Sequence, residues 1–311
     1  MHIAQIGTGR VGRPTAYTLM CSNIADELTV CDVKPGLAAA FAEELKHVTA
    51  SIGLDVKIES CVRSEDVIDA DIILISAGQP RIPIVKMTRR DLAIQNGKIV
   101  KEISEKTVAH NSSAKYIVIT NPVDSMAMLC KKYTKADFVI GTGTNLESLR
   151  FRSKLAETLG VPVSQVSGWV GGEHGDAAIP LWSTVKICDL PLEKYVLTKN
   201  QAFSKEEVLS YVKAVSKMIV DNIGGTEYGP AASFRDIVRA IANDTKEILS
   251  ISIPITFVKS SEPIFVGVPV RLGKEMGSSL LDSLTEDEKR GIIGAAEAID
   301  QTFKIALENR T

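Results

Sequence analysis

Several common features are scarce or missing in this sequence, and each absence excludes something. No run of about 18 apolar residues occurs in its 311 residues, so no transmembrane helix is expected. Lysine and arginine number 36 against 38 aspartates and glutamates. Without a basic excess, a nucleic-acid partner is not expected. The five cysteines, Cys21, Cys31, Cys61, Cys130 and Cys188, are odd in number and widely spaced, with no Cys-x-x-Cys pair. That pattern supports neither a zinc ribbon nor a disulfide scaffold, and reduced structural thiols in a cytoplasm are the expectation. The first residues already have the pattern of a strand, with no basic segment or cleavage site, so no signal peptide is expected. There is no internal repeat and no low-complexity linker. Hydrophobic residues make up 45% and charged residues 24%, which excludes disorder, collagen and coiled coil and leaves a globular chain long enough for two lobes.

The first half alternates short apolar runs with helical patterns. Strands are expected at His2–Ile6, Leu28–Cys31, Asp71–Ile75, Tyr116–Thr120 and Phe138–Ile140. Helices are expected at Pro14–Met20, Ala38–Val48, Leu92–Val108 and Met126–Lys132. Such alternation implies parallel strands joined by right-handed crossovers. The second half reads as more antiparallel, around Thr184–Cys188, Ile248–Ile255 and Ile264–Arg271, with long helices. The last helix should begin with a capping box from Thr285 to Glu288. Its residues Ile292, Ala296, Ile299, Phe303 and Leu307 repeat at helical spacing, as for core packing or a subunit contact.

Gly7-Thr8-Gly9-Arg10-Val11-Gly12 follows an apolar strand and opens a helix. In that context the first glycine permits the tight turn, the second admits a pyrophosphate, and the third lets helix pack on strand. The helix N-terminus offers N–H groups to phosphate. Asp32 closes the next strand, 20 residues after Gly12. A carboxylate there accepts from both ribose hydroxyls and repels a 2′-phosphate, which favours NAD over NADP.

Of the four histidines, His2, His47 and His110 fall at a strand start or in helical patterns. His174 lies in Gly171-Gly172-Glu173-His174-Gly175-Asp176, a glycine-flanked loop that can aim it into a cleft. Its ordinary pKa near neutrality suits proton transfer.

These motifs, with Thr120-Asn121-Pro122-Val123-Asp124 and Asn145-Leu146-Glu147-Ser148-Leu149-Arg150-Phe151-Arg152, run in an order that resembles the lactate/malate dehydrogenase family over essentially the whole chain. The likeness is greatest to the lactate-dehydrogenase-like malate dehydrogenases. It implies an α/β fold, a Rossmann doubly wound parallel sheet in residues 1–142 followed by a mixed α+β substrate-binding domain in 143–311. It also implies NAD as cofactor, no metal, a cytoplasmic homodimer or homotetramer, and the malate step of the tricarboxylic acid cycle. His174 would be the acid/base. Glu147 stands where the family has an aspartate beside the imidazole, one methylene longer, or about 1.5 Å at fixed backbone. Arg150, on the same helical face, would take the substrate carboxylate bidentately. Cofactor contacts would come from Gly7, Gly9, Arg10, Val11, Gly12, Asp32, Ala77, Gly78, Asn96, Thr120, Asn121 and Val123, with Asn121 also near the substrate. Thr226 and Pro230 resemble the helix start that closes the pocket; Thr226 is open to a substrate contact or to a helix-start role.

Residues 76–89 resemble the family's mobile active-site loop. Arg89 would polarise the substrate carbonyl and Arg81 would meet a second carboxylate, which points to oxaloacetate and malate. The spacing from Arg81 to Arg89 is two residues longer than the family's usual one and lacks its Pro-Gly step. Arg81 and Lys86 therefore stand as alternatives for that carboxylate. Lactate or broad 2-hydroxyacid dehydrogenase is the nearest rival. A non-catalytic NAD-binding protein is a more distant one. A metal-dependent NAD glycosidase is disfavoured because Thr120 stands where such enzymes place cysteine.

Overall fold

The computed structural model describes residues 1–79, 89–257 and 262–308, with the side chains at 89, 90 and 308 outside that description. Six parallel strands form its first half: β1 (His2–Ile6), β2 (Glu27–Cys31), β3 (Lys57–Cys61), β4 (Ile72–Ile75), β5 (Lys115–Val118) and β6 (Val139–Gly141). They lie in the order β3-β2-β1-β4-β5-β6. The helices α1 (Gly12–Cys21), α2 (Leu37–Ile52), α3 (Arg89–Val108) and α4 (Val123–Thr134) form the crossovers. All four residues of β4 are buried, as expected of a central strand covered on both faces. The α2 helix turns Ala38, Phe41, Ala42, Leu45 and Thr49 inward at helical spacing and stops at Gly53. The chain order reverses between β1 and β4, so the loops after these two strands diverge and open a crevice. In such sheets that switch point is where ligands bind.

The second half comprises α5 (Asn145–Leu159), β7 (Val166–Gly172), β8 (Ala178–Ile187), β9 (Leu190–Pro191), α6 (Leu192–Lys199), α7 (Lys205–Ile223), α8 (Tyr228–Ala242), β10 (Glu247–Ile255), β11 (Ile264–Leu272), β12 (Met276–Ser279) and α9 (Glu286–Glu308). Its strands run antiparallel, and β10 joins β6 through the Ser252–Gly141 pair. All twelve strands thus belong to one sheet among the described residues.

The expected α/β architecture is present, with differences at the edges. The β3 strand was not expected because Lys57-Ile58-Glu59-Ser60-Cys61 is mostly polar, and only Ile58 is buried. It survives as an edge strand, where one face needs no apolar cover. The β7 strand was also not expected, because Gly168, Gly171 and Gly172 mask its alternation. The hairpin partner β8 starts at Ala178 rather than near Thr184. At α9 the expected capping box forms: Thr285 N donates to Glu288 Oε2 at 3.0 Å and Glu288 N donates to Thr285 Oγ1 at 3.4 Å. Ile292, Ala296, Ile299 and Phe303 all face the core. The five cysteines are free, but Cys21 and Cys188 are exposed, so they are not core thiols as expected.

Candidate active site

The glycine loop follows β1 and enters α1. Gly7 has φ of 93°, and a Cβ there would lie 2.5 Å from Ala77 N. A Cβ on Gly12 would lie 1.9 Å from Gly7 O, so any side chain would push the helix off the strand. Gly9 differs, with nothing within 4 Å of the Cβ position. Its bare backbone borders open space beside a helix N-terminus, the arrangement a pyrophosphate needs. Asp32 sits just beyond β2. Its Oδ2 accepts from Thr8 N at 2.8 Å and Thr8 Oγ1 at 3.0 Å, and its Oδ1 accepts from Lys34 N at 3.0 Å. The carboxylate therefore holds the glycine loop against the strand end and retains lone pairs for a ribose diol. Arg10 leaves the loop for the second half, where Nη1 meets Glu227 Oε1 at 3.0 Å just before α8. Gly225 leaves room for it, since a Cβ there would lie 2.8 Å from Arg10 Cδ.

On the other wall of the crevice, Thr120 Oγ1 donates to Ala77 O at 2.7 Å. The buried Asn96 of α3 receives Gln79 N at 2.7 Å and donates through Nδ2 to Asn121 O at 2.7 Å. Asn96 thus ties the loop after β4 to the strand end after β5. A Cβ on Gly78 would lie 2.8 Å from Thr120 Cγ2, so the two loops pack closely. The Asn121–Pro122 peptide is cis, and Val123, the first residue of α4, is buried.

The reacting centre draws on three elements. His174 lies in the turn from β7 to β8, and Glu147 and Arg150 lie on α5. The start of α5 is bonded to β7: Thr144 Oγ1 donates to Val170 O at 2.6 Å, Ser148 Oγ donates to Thr144 O at 2.9 Å, and Val170 N donates to Ser148 Oγ at 2.9 Å. That fixes the helix face relative to the hairpin. His174 Nδ1 then lies 3.1 Å from Glu147 Oε1 and 3.2 Å from Oε2. Arg150 Nη1 lies 3.6 Å from Glu147 Oε1. The extra methylene of Glu147 does not prevent its contact with the imidazole.

The electrostatics follow from this packing. Burial pulls the His174 imidazole down, but the charge and hydrogen bond of Glu147 outweigh it and hold the group at about 9. Burial also works against the Glu147 carboxylate, yet His174 and Arg150 keep it below its ordinary value. The side chains of Glu147 and Arg150 are 7% and 12% exposed, whereas His174 is 26% exposed. The imidazolium is therefore oriented at Nδ1 by a carboxylate while the ring stays partly exposed.

A fourth group, Asp124 on α4, belongs to this centre although sequence reasoning quoted it without a role. Its Oδ2 accepts from His174 N at 3.0 Å. Burial pushes its carboxyl up to about 6. The Ser252 hydroxyl opposes that rise, yet neither it nor Asp124 Oδ1 completes a hydrogen bond of regular geometry. The available signal was an ionisable residue within the otherwise inward-facing start of α4, where Val123 to Cys130 are all buried.

Thr226 lies between α7 and α8, and Pro230 falls in the first turn of α8, as its position predicted. Arg89 opens α3, with its side chain outside the description. Arg81 and Lys86 lie outside the described residues. No metal-binding cluster occurs among the described residues, and no described helix is long and apolar enough to cross a membrane.

Comparison with known proteins agrees with this arrangement. Residues 1–138 match the lactate/malate dehydrogenase NAD-binding domain, and residues 144–308 match the alpha/beta C-terminal domain of the same family. The malate dehydrogenase of Sulfolobus acidocaldarius is 36% identical over 98% of this chain and 97% of its own length. The L-lactate dehydrogenase of Thermoanaerobacter pseudethanolicus is 32% identical over 97% of this chain and 98% of its own. Among solved structures, the lactate dehydrogenase of Cryptosporidium parvum, complexed with lactic acid and nicotinamide adenine dinucleotide, superimposes with a TM-score of 0.90. It is 27% identical and covers 100% of this chain and 98% of that one.

Proposed function

The chain belongs to the lactate/malate dehydrogenase family, as an NAD-dependent 2-hydroxyacid dehydrogenase, and from that premise we propose that it interconverts malate and oxaloacetate. The observation that carries the reading is the linked set Arg150–Glu147–His174. In ketone reduction, protonated His174 gives its proton to the carbonyl oxygen, while Glu147 steadies the ring and its tautomer. In alcohol oxidation, neutral His174 accepts the hydroxyl proton. NAD, when bound, supplies the hydride donor or acceptor. Arg150 takes the carboxylate next to the reacting carbon, and its planar fork fixes that carbon beside His174. Arg89 polarises the carbonyl oxygen. Gly7, Gly9, Val11, Gly12 and Asp32 hold the dinucleotide, with Ala77, Gly78, Thr120, Asn121 and Val123 along its nicotinamide side and Asn96 bracing that wall.

Malate rather than lactate rests on Arg81, a cation able to pair a second carboxylate, and on the malate dehydrogenases among the relatives. Thr226, between α7 and α8, is a further candidate for a substrate contact. The boundary falls at 142/143, and the working unit is a cytoplasmic homodimer or homotetramer. The deciding experiment is NADH oxidation with oxaloacetate and with pyruvate in parallel. Oxaloacetate should have the higher kcat/KM, and Arg81→Gln should move the ratio toward pyruvate. A preference for pyruvate in the unmodified enzyme would make it a lactate dehydrogenase.

A further inference from the structure

Two cysteines face each other beside the adenosine end of the crevice. The parallel register of β2 and β3 pairs Cys31 with Cys61, the last residue of each strand. Residues paired in this way project their side chains on the same side of the sheet. Neighbouring strands lie about 4.7–4.9 Å apart, inside the Cα separation a disulfide tolerates. The proximity of the thiols, with burial, pushes Cys31 up, and it draws Cys61 down against burial and the nearby Asp66, Glu59 and Glu65. Cys31 is buried and Cys61 partly exposed. One thiol is thus reachable from solvent, and the other, paired with it across the strands, is placed to resolve it.

The pair is coupled directly to the cofactor loop. Asp32, next after Cys31, donates its amide to Cys61 O at 3.2 Å, and Gly7 N donates to Cys31 O at 2.8 Å. The Asp32 carboxylate in turn holds Thr8. We propose that Cys31 and Cys61 form a reversible disulfide, driven by a hydroperoxide, that weakens NAD binding. The second clause rests on the reading of Asp32 as the ribose carboxylate. With hydrogen peroxide, the Cys61 thiolate attacks one oxygen, the O–O bond breaks, and the departing hydroxide takes a proton and leaves as water. The Cys31 sulfur then attacks the sulfenic sulfur of Cys61. The S–S bond forms as the S–O bond breaks, and hydroxide leaves with the Cys31 proton as a second water. Two thiols lose two electrons, and one peroxide gains them. A covalent S–S bond is shorter than any non-bonded sulfur contact, so closure draws the strand ends together and displaces Asp32. A dithiol reverses it by exchange.

The test uses the full chain carrying Cys21→Ser and Cys188→Ser, which removes the two exposed thiols. The protein is treated with hydrogen peroxide, alkylated and digested, and NADH kinetics are followed before treatment, after it, and after dithiothreitol. A peptide linking Cys31 to Cys61 should appear, with KM for NADH up about tenfold and kcat little changed. Dithiothreitol should restore the original KM. Cys61→Ser or Cys31→Ala should abolish the response while keeping activity in the reduced state. Absence of the linked peptide, or its formation without a rise in KM, overturns the proposal. Asp32→Asn in the reduced protein separates the two readings. If it leaves KM for NADH unchanged, the ribose assignment falls. If it raises KM while the disulfide does not, the switch falls.

Discussion

Glu147 is one methylene longer than the residue its family relatives are expected to carry, and the contact distances bear on the consequence. The carboxylate reaches His174 Nδ1 at 3.1 Å, so the backbone of α5 already accommodates the longer side chain. Glu147→Gln removes the charge that raises His174. The pH at which reductive kcat/KM falls should drop from about 9 toward the ordinary histidine value near ~6.5. The sign follows from the proton: reduction needs the imidazolium, so the parent enzyme holds its rate below about 9 and loses it above, while malate oxidation rises over the same interval. At neutral pH the variant should lose about 100-fold, within the range for a misplaced acid–base group. A pH profile that stays put would separate Glu147 from His174. Glu147→Asp should also lose activity, because retracting the carboxylate by about 1.5 Å breaks a contact built for glutamate. His174, Glu147 and Arg150 were legible because each falls in a compact motif. Asp124 was not, because its role is a bond to the backbone of His174, contributed by a helix 50 residues earlier in the chain.

At the scale of elements, legibility followed burial. The β1 and β4 strands and helix α2 announce themselves by apolar runs or helical spacing because the core demands it. The β3 and β7 strands were missed because an edge strand needs little apolar surface and a glycine-rich strand has few side chains to pattern. The first turn of α9 was legible in detail, and a bond from β8 that was not adds to its worth. Glu288 accepts from Thr285 N at 3.0 Å, as a capping box should, and also from Ser183 N at 2.9 Å and Ser183 Oγ at 2.6 Å. It therefore anchors the helix to β8. Glu288→Ala should cost about 1–2 kcal/mol in urea unfolding, because it removes three hydrogen bonds to a charged carboxylate that tie the start of the helix to β8. Burial raises the Glu288 carboxyl, but the Ser183 and Thr285 bonds outweigh it and hold the group below its ordinary value. Its charge-dependent contribution is therefore complete above about pH 4.5 and lost as pH falls through the lowered value. The gap between parent and variant should shrink in acid. A gap that grew in acid would show the carboxylate to be uncompensated in the fold.

The whole molecule carries a formal net charge of -2, which gives an anionic substrate no general attraction. The described centre does not supply one either. Near neutrality Arg150 and protonated His174 stand against Glu147 and Asp124, with buried Glu173 close to Asp124. Two cations facing two or more carboxylates leave no surplus for a dianion. The sequence from 81 to 90 carries Arg81, Lys86, Arg89 and Arg90 without a single acid, and on the proposed reading it supplies the charge that captures a dianion. On that reading, capture and chemistry are divided between two parts of the chain: a pre-bonded acid–base centre, and a cationic stretch of sequence that attracts the substrate. Ionic strength separates the two contributions. Raising salt from about 0.05 to 0.5 M shortens the screening length from about 14 to 4 Å. The value of kcat/KM for oxaloacetate should fall several-fold, mainly through KM, because screening weakens the field of those cations. In Arg81→Gln the salt dependence should flatten while kcat at saturating pyruvate stays near the parent value. If salt instead lowered kcat and left KM alone, the field would be acting on the acid–base centre, and the division of labour between segment and sheet would be wrong.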